Sequence, residues 1–269
     1  MKLSFATLGC PAWTLDQIAT NARALGYDGV ELRGANNEHV GPAEPPANRP
    51  RIKQLFATAG VEIGCIMGYT CFTNDDPAKQ DQNVATAIQY LDLARDLGCP
   101  CVRVFGGNWS AQTDQAGNIA RVVSALKRVA PRAEAFGVKL AFETHDSWTK
   151  AANLRAVIDG VGSPMLGACW DVANCYHTEP LAQSFIAIRD RIFHVHLKDT
   201  KRVDGKIKNV LPGEGEVDLA HAVWLLRFIN YTGYLSFEWE KKWDATLAEP
   251  EVAFPRYISH CRALLNAES

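Results

Sequence analysis

The chain has 269 residues, 47% of them hydrophobic, which is enough to form the buried core of one compact domain. Its 28 basic and 30 acidic residues leave a formal net charge of -2, so charge gives no reason to expect nucleic acid or an anionic membrane as a partner. The amino-terminal segment lacks a signal-peptide core, and no apolar run approaches the roughly 20 residues that cross a bilayer. We therefore expect a cytoplasmic protein.

Short apolar runs rich in β-branched residues alternate with longer amphipathic stretches along the chain. The predicted strands are 3–8, 29–33, 61–67, 101–105, 138–143, 166–171, 192–197 and 234–239. The predicted helices are 15–25, 51–59, 81–97, 118–136, 154–160, 182–188, 217–229 and 252–265. Gly26, Gly60 and Gly98 directly follow three of these helices and are typical helix terminators.

This alternation predicts parallel strands joined by right-handed crossovers. Eight such units predict an α/β fold, a closed (β/α)8 TIM barrel, with residues 1–269 forming a single domain. The alternative is an open doubly wound sheet, which usually carries a Gly-rich turn after its first strand. Gly9, Cys10 and Pro11 do not form that motif, so the barrel is favoured. In a barrel, the active site lies where the carboxyl ends of the strands converge.

Carboxylate and imidazole side chains stand at these ends in the last four predicted strands. They are Glu143, His145, Asp171, His194, His196, Glu238 and Glu240. Carboxylates that face one another at buried strand ends repel unless a cation compensates them. A set of oxygen donors with one imidazole suits Mn²⁺, Mg²⁺ or Co²⁺. Zn²⁺ is less favoured, because no thiolate is predicted at these positions.

Taken one at a time, these residues have simpler interpretations. A lone glutamate at a strand end is commonly a solvated or ion-paired group. His194 shares a face with His196 but lies one layer deeper, which favours a structural, hydrogen-bonded role. Arg103 is expected to pair with a carboxylate inside the barrel. Lys198 is expected to pair with Asp199 or to hold the loop that follows.

Five segments together resemble the sugar phosphate isomerase/epimerase type of the xylose-isomerase-like barrel superfamily, which includes ketose 3-epimerases and hydroxypyruvate isomerases. They are residues 26–32, 143–145, 194–199, 212–218 and 233–238. The resemblance spans nearly the whole chain. Its motifs are specific for the superfamily but not for a substrate.

The resemblance implies one divalent metal ion, with Mn²⁺ preferred over Mg²⁺, Co²⁺ or Zn²⁺. The implied metal ligands are Glu143, Asp171, His196 and Glu238. It also implies that Glu143 and Glu238 are catalytic and transfer protons on opposite faces of the substrate.

The resemblance further implies a substrate site beside the metal. Arg202, six residues past His196, matches an arginine that contacts substrate oxygens in the family. The family often has a histidine where this chain has Asn174, which makes the transfer of a particular substrate less secure. The residues assigned to substrate binding are Arg202, His145, Asn174, Trp109 and Glu240.

The implied activity is that of a sugar isomerase or epimerase, which takes a proton from the carbon beside a ketose carbonyl through a metal-stabilised enediolate. A lyase or dehydratase would use the same enediolate but expel a β-hydroxyl, assisted by Glu240 or His145. A DNA-repair endonuclease of the superfamily is disfavoured by the near-neutral charge and by Asn174. A non-catalytic sugar-binding barrel remains the alternative from a different class. The expected partner is a small sugar or sugar derivative, and a homo-oligomer is compatible with the sequence.

Overall fold

Eight parallel strands close into a barrel in the computed structural model, which describes residues 1–35 and 38–267. The barrel strands are β1 (Lys2–Ala6), β2 (Gly29–Gly34), β3 (Glu62–Cys71), β4 (Cys101–Phe105), β5 (Lys139–Glu143), β6 (Leu166–Asp171), β7 (Ile192–His196) and β10 (Tyr234–Phe237). Around the barrel they follow the order β1-β10-β7-β6-β5-β4-β3-β2. The predicted (β/α)8 TIM barrel is confirmed.

Helices connect the strands and cover the outside of the barrel. They are α1 (Leu15–Leu25), α2 (Arg49–Ala59), α3 (Pro77–Leu97), α4 (Gln115–Phe136), α5 (Ala151–Val161), α6 (Val172–Tyr176), α7 (Leu181–Ile188), α8 (Leu219–Phe228) and α9 (Pro250–Asn266). Thr14 and Gln17 form a capping box at the start of α1, and Gly26 ends that helix with φ at 78°. Local capping chemistry therefore sets the helix limits that the sequence predicted.

Besides three single-turn 3₁₀ segments, two elements of the described chain were not predicted. One is the antiparallel hairpin of β8 (Asp199–Val203) and β9 (Lys206–Val210), which stands apart from the barrel sheet. Its turn at Asp204 and Gly205 has positive φ at both residues, as two-residue hairpin turns require. The other is the one-turn helix α6. Both are short, and the hairpin is largely exposed, so neither shows the apolar periodicity on which the prediction depended.

The terminal helix α9 packs on the side of the barrel. The ring of Phe254 stacks on Phe5 of β1 with centroids 4.2 Å apart, and Tyr257 stacks on Phe237 of β10 at 4.4 Å. The helix therefore covers the wall of the barrel at β1 and β10. Within the described residues, no helix combines the length and the apolar character needed to cross a bilayer.

Small side chains fill a lower layer of the barrel interior. Cys65, Cys101, Ala141 and Cys169 form a buried cluster there. All eight cysteines are free, as expected for reduced thiols that serve as small buried hydrophobes. The larger polar side chains of the interior belong to the carboxyl half of the barrel, where the candidate site lies.

Candidate metal centre

The carboxyl ends of four strands bring the four predicted metal ligands together. Glu143 ends β5, Asp171 ends β6, His196 ends β7 and Glu238 directly follows β10. Each contributes one donor atom, and these atoms all lie within 4.8 Å of one another. Glu143, Asp171 and His196 are fully buried and Glu238 is 3% exposed. Parallel register places Asp171 beside His196, and His196 beside Ser236 of β10, so the convergence follows from barrel closure.

Asp171 shows how the set fits a cation. Its Oδ1 accepts a hydrogen bond from the backbone N–H of Asn174 and so caps α6. Its Oδ2 is buried and accepts no well-aligned hydrogen bond from any residue that the structure describes, and the Lys198 ammonium faces it at 3.1 Å. A buried oxygen without a donor is costly unless a cation or solvent reaches it. Lys198 is one such cation, and a set of three carboxylates and an imidazole also suits a hard or borderline divalent ion.

Two buried protein cations also face these carboxylates. Arg103 Nη2 lies 2.6 Å from Glu143 Oε2 and 3.8 Å from Glu238 Oε1, which confirms its predicted internal pairing. Lys198 Nζ lies 2.6 Å from Glu238 Oε2 and 3.1 Å from Asp171 Oδ2. Charge repulsion alone therefore does not require a metal, because part of the negative charge is already compensated. The inference of a metal depends instead on the chemistry of the donor set and on its four donor atoms lying within 4.8 Å of one another.

Of the two roles predicted for Lys198 and Asp199, pairing with each other is wrong. Lys198 turns into the barrel mouth, where it also contacts Glu240 Oε1 at 2.6 Å. Asp199 accepts hydrogen bonds from the backbone N–H groups of Gly213 and Gly215, each at 2.9 Å, and so holds the following loop by itself. The two neighbouring residues separate because successive side chains of an extended chain point in opposite directions.

Burial and charge shift the pKa values of this centre in different directions. Burial would raise the pKa of Glu143, but the Arg103 guanidinium outweighs it and brings that pKa to about 2. Burial raises the pKa of Asp171 to about 6, because Lys198 offsets the desolvation only in part. Burial would lower the pKa of His196, but the surrounding carboxylates raise it well above its usual value. The two glutamates predicted to be catalytic are therefore ionised at neutral pH, since the pKa of Glu238 is also well below its usual value.

A family model described as xylose isomerase-like TIM barrel matches residues 19–261 of the chain. The chain belongs to the xylose isomerase-like TIM barrel family. It is 23% identical over 279 residues to the fructoselysine 3-epimerase of Shigella flexneri, an alignment that covers 98% of each protein. It is 25% identical over 252 residues to the 3-dehydroshikimate dehydratase of Pseudomonas putida, which covers 88% of this chain and 38% of the dehydratase.

A solved structure, the IOLI protein with a binding zinc atom, superposes with a TM-score of 0.82 over 100% of both chains at 18% sequence identity. At that identity, the similarity shows that the fold is shared. The relatives of this xylose isomerase-like barrel thus include a sugar epimerase and a dehydratase.

Three residues assigned to substrate binding surround the metal centre of this xylose isomerase-like barrel. Glu240 is 31% exposed in its side chain and is held by Lys198. His145 lies against the ring of Phe105, with centroids 5.5 Å apart, and its Nδ1 is 3.0 Å from Asp146 Oδ2. Asn174 donates from its side-chain amide to the Thr144 carbonyl at 3.2 Å. Their contact with substrate stays a prediction.

The other two residues assigned to substrate binding are Trp109, on the loop after β4, and Arg202, on the hairpin. Trp109 packs edge-to-face on Trp148 at 5.9 Å, and its indole N–H is buried with no acceptor among the described residues. Arg202 lies on β8, where its side chain is exposed and donates to the Gly205 carbonyl at 3.4 Å. Within the described part of the chain, Arg202 makes no ion pair with the four predicted ligands. The hairpin directs it toward solvent, and its predicted role remains untested.

A buried thiol also lies beside the predicted donor set. Cys169 Sγ of β6 lies within the same 4.8 Å range of donor atoms from Glu143 and His196. Burial raises the pKa of this thiol, so it stays protonated in the metal-free protein. The alternation of side chains carries the signal, because Cys169 is two residues before Asp171 and therefore shares its face.

An aromatic and cationic stack lies at the mouth of the barrel. The Arg33 guanidinium lies 5.0 Å from the ring centroids of both Tyr69 and Trp243, and its Nε donates to the Tyr69 hydroxyl at 2.9 Å. Trp243 is 59% exposed. This stack joins the end of β2 to the loop after β10 and forms one wall above the metal centre.

Proposed function

We propose that the protein is a divalent-metal-dependent sugar isomerase or epimerase that acts on a small ketose or sugar derivative. The observation that carries this proposal is the meeting of Glu143 and Glu238 with Asp171 and His196 in one buried centre. Proton transfer on both sides of a carbon requires an ionised carboxylate as the base and, as the acid, a carboxyl group that has taken up a proton from solvent; two glutamates in a shared donor set supply both groups. The full-length similarity to a fructoselysine 3-epimerase supports the same reaction class.

Glu143, Asp171, His196 and Glu238 would hold the metal ion. The hard oxygen donors outnumber the single imidazole, so we propose Mn²⁺ as the ion, with Mg²⁺, Co²⁺ and Zn²⁺ as alternatives. The structurally similar IOLI protein binds a zinc atom, which supports a metal in this chain as well. When bound, the ion would polarise the substrate carbonyl and stabilise the negative charge that develops on oxygen.

Two glutamate side chains of the protein would carry out the proton transfer. Glu143 belongs to β5 and Glu238 to the end of β10, and β6 and β7 lie between these strands in the barrel. The two carboxylates therefore approach a substrate from different sides of the mouth. One removes the proton beside the carbonyl, and the other returns a proton to the opposite face in an epimerisation. In an isomerisation, the first glutamate delivers the proton to the neighbouring carbon.

Arg103 and Lys198 keep these carboxylates in place. Arg103 contacts both glutamates, and Lys198 contacts the second oxygen of Glu238. Both cations are almost fully buried, so their charges are little screened by solvent. They hold the glutamates ionised and orient them before a substrate arrives, which is the preorganisation that lowers the cost of reaching the transition state.

The test measures proton exchange with solvent. The protein is stripped with EDTA, reloaded with Mn²⁺ and mixed with a panel of ketoses in D₂O, and deuterium entry is read by NMR. We expect exchange at the carbon beside the carbonyl of at least one ketose. Glu143→Gln and Glu238→Gln should each lower the rate by about 100-fold or more. Glu179→Gln is the matched control, because Glu179 is buried but bonds only to Ala151 and Gln183 among the described residues. Full exchange in both active-site variants would contradict the proposal.

A dehydratase is the second candidate. The similarity to a 3-dehydroshikimate dehydratase favours it, and so does Glu240, a carboxylate that Lys198 holds at the rim of the centre. Such a reaction would start with the same proton removal but end with loss of a β-hydroxyl as water. The product would be an unsaturated ketone that absorbs in the ultraviolet. Absorbance that grows with substrate consumption would favour the dehydratase, and deuterated sugar without new absorbance would favour the epimerase.

A further inference from the structure

One fully buried carboxylate contacts the metal centre without belonging to the four predicted ligands. Glu31 lies on β2 and points into the barrel, where it reaches side chains of β7 and β10. It accepts hydrogen bonds from Ser236 Oγ at 2.7 Å, from His194 Nε2 at 3.1 Å and from His196 Nε2 at 3.1 Å. Strands β1 and β10 separate β2 from β7 in the barrel, so Glu31 spans the interior to make these contacts.

The two ring nitrogens of His196 face different groups. Nδ1 points into the metal centre, 2.8 Å from Glu143 Oε1 and 3.4 Å from Glu238 Oε1. Nε2 points the other way, toward Glu31. An ionised carboxylate only accepts hydrogen bonds, so Nε2 must carry a hydrogen. Nδ1 also faces a carboxylate in the metal-free protein and carries a hydrogen there, but it is the nitrogen that lies among the other ligands, so it is the one that would exchange its hydrogen for a cation while Nε2 keeps its bond to Glu31.

We propose that Glu31 is a positioning residue that fixes the tautomer and ring orientation of His196, so that Nδ1 is presented as the metal ligand. This inference rests on the proposed function, because it assigns a supporting group to the proposed metal site. Metal-binding histidines generally donate their other N–H to a carboxylate or carbonyl, which raises the basicity of the ligand and fixes its direction. Glu31 supplies that acceptor from the opposite side of the barrel.

The other two contacts of Glu31 hold the carboxylate itself. Ser236 neighbours His196 in the register of β10 and β7, so its hydroxyl anchors Glu31 next to the ring that Glu31 orients. His194 lies one layer deeper and donates to the same Oε2. This arrangement gives His194 a defined role as a support for Glu31, in agreement with its predicted structural role.

A different use of Glu31 is as a metal ligand. Donor atoms of Glu31, Cys65 and His194 lie within 4.8 Å of one another, one layer below the main centre. The Glu31 carboxylate and His194 Nε2 are already bonded to each other, however, and an inner ion would have to displace that bond. Positioning requires no such displacement. The two roles differ in metal stoichiometry, because an inner site would bind a second ion.

The experiment compares Glu31→Gln with wild type in the full-length protein. Mn²⁺ affinity is measured by competition with a chromophoric chelator, and the imidazole N–H signals are recorded by ¹⁵N-edited NMR after loading with Zn²⁺. We expect the Mn²⁺ dissociation constant to rise by about 10- to 100-fold. We also expect the His196 Nε2–H resonance to move upfield, because an amide is a weaker acceptor than a carboxylate. Glu179→Gln, the matched buried control, should change neither measurement.

Ser236→Ala provides a milder perturbation if Glu31→Gln does not fold. It removes the shortest bond to Glu31 but keeps the carboxylate, and we expect a smaller rise in the dissociation constant with the same upfield direction. Unchanged Mn²⁺ affinity and an unchanged His196 resonance in either folded variant would overturn the inference. Binding of two Zn²⁺ ions by the wild type, with the second ion lost in Cys65→Ser, would overturn it as well.

The outcomes separate this inference from the proposed function. If wild type binds no divalent metal, both fail. If wild type binds Mn²⁺ and Glu31→Gln binds it equally well, only the role of Glu31 fails. If Glu31→Gln weakens Mn²⁺ binding but no ketose exchanges its proton, the positioning role stands and the proposed reaction fails.

Discussion

Replacing Lys198 with methionine removes the cation that joins three carboxylates at the barrel mouth. Lys198 is 3% exposed, and its Nζ lies 2.6 Å from oxygens of Glu238 and Glu240 and 3.1 Å from Asp171. Removing one partner of a buried ion pair destabilises a protein by about 3–5 kcal/mol, because the remaining charges are left uncompensated. For a chain of this size, that loss corresponds to a decrease in melting temperature of roughly 6–20 °C.

The pH dependence of this loss of stability follows from the pKa of Lys198. Its neighbouring carboxylates raise the pKa of Lys198 well above the usual value, although burial opposes this. A raised lysine pKa stabilises the folded state fully below the unfolded-state pKa of about 10.4 and loses this effect only as pH rises through the folded-state pKa. The loss of folding stability caused by Lys198→Met should therefore be constant across neutral pH.

The assay is thermal unfolding of EDTA-treated protein, followed by circular dichroism, with and without Mn²⁺. We expect Mn²⁺ to recover part of the loss, since an ion at 100 times its dissociation constant stabilises the folded state by about 2.7 kcal/mol. Lys2→Met is the matched control. The Lys2–Glu62 pair has a similar distance of 2.7 Å but is exposed, and such pairs contribute about 0–1 kcal/mol. Equal melting temperatures for wild type and metal-free Lys198→Met would refute the reasoning.

Three further predictions concern the metal and the substrate. Protons compete with Mn²⁺ for both His196, whose pKa lies well above its usual value, and Asp171, whose pKa is raised to about 6. The binding constant measured by calorimetry should therefore fall by about tenfold per pH unit just above pH 6 and more steeply below it. A flat profile would contradict this. Dialysis against EDTA should lower the melting temperature of wild type, and adding Mn²⁺ back should raise it by roughly 5–10 °C. An unchanged melting temperature after dialysis would argue against a bound ion. Arg202→Gln should raise KM and leave kcat nearly unchanged. The melting temperature should also change little, because the exposed Arg202 guanidinium bonds only to Gly205 among the described residues. An unchanged KM would show that Arg202 is not part of the substrate site.

The sequence by itself was sufficient for the barrel and for the four residues of the donor set. Strands β4 and β6 and helix α1 have the predicted limits, because apolar periodicity and glycine caps act over a few neighbouring residues. The residues of the donor set could be predicted for a similar reason. Once the strands are parallel and closed into a barrel, their carboxyl ends meet at one mouth, so Glu143, Asp171 and His196 converge without knowledge of any individual contact.

Only the tertiary structure decided which charges pair. Lys198 was expected to contact its sequence neighbour Asp199, but it pairs with Glu238 and Glu240, which are about 40 residues away in the chain. Glu31 joins His194 and His196 from 163 and 165 residues away. Such partners depend on the order of the strands around the barrel, on their register and on which side chains share a layer. These are properties of the closed sheet, and no local pattern of residues encodes them.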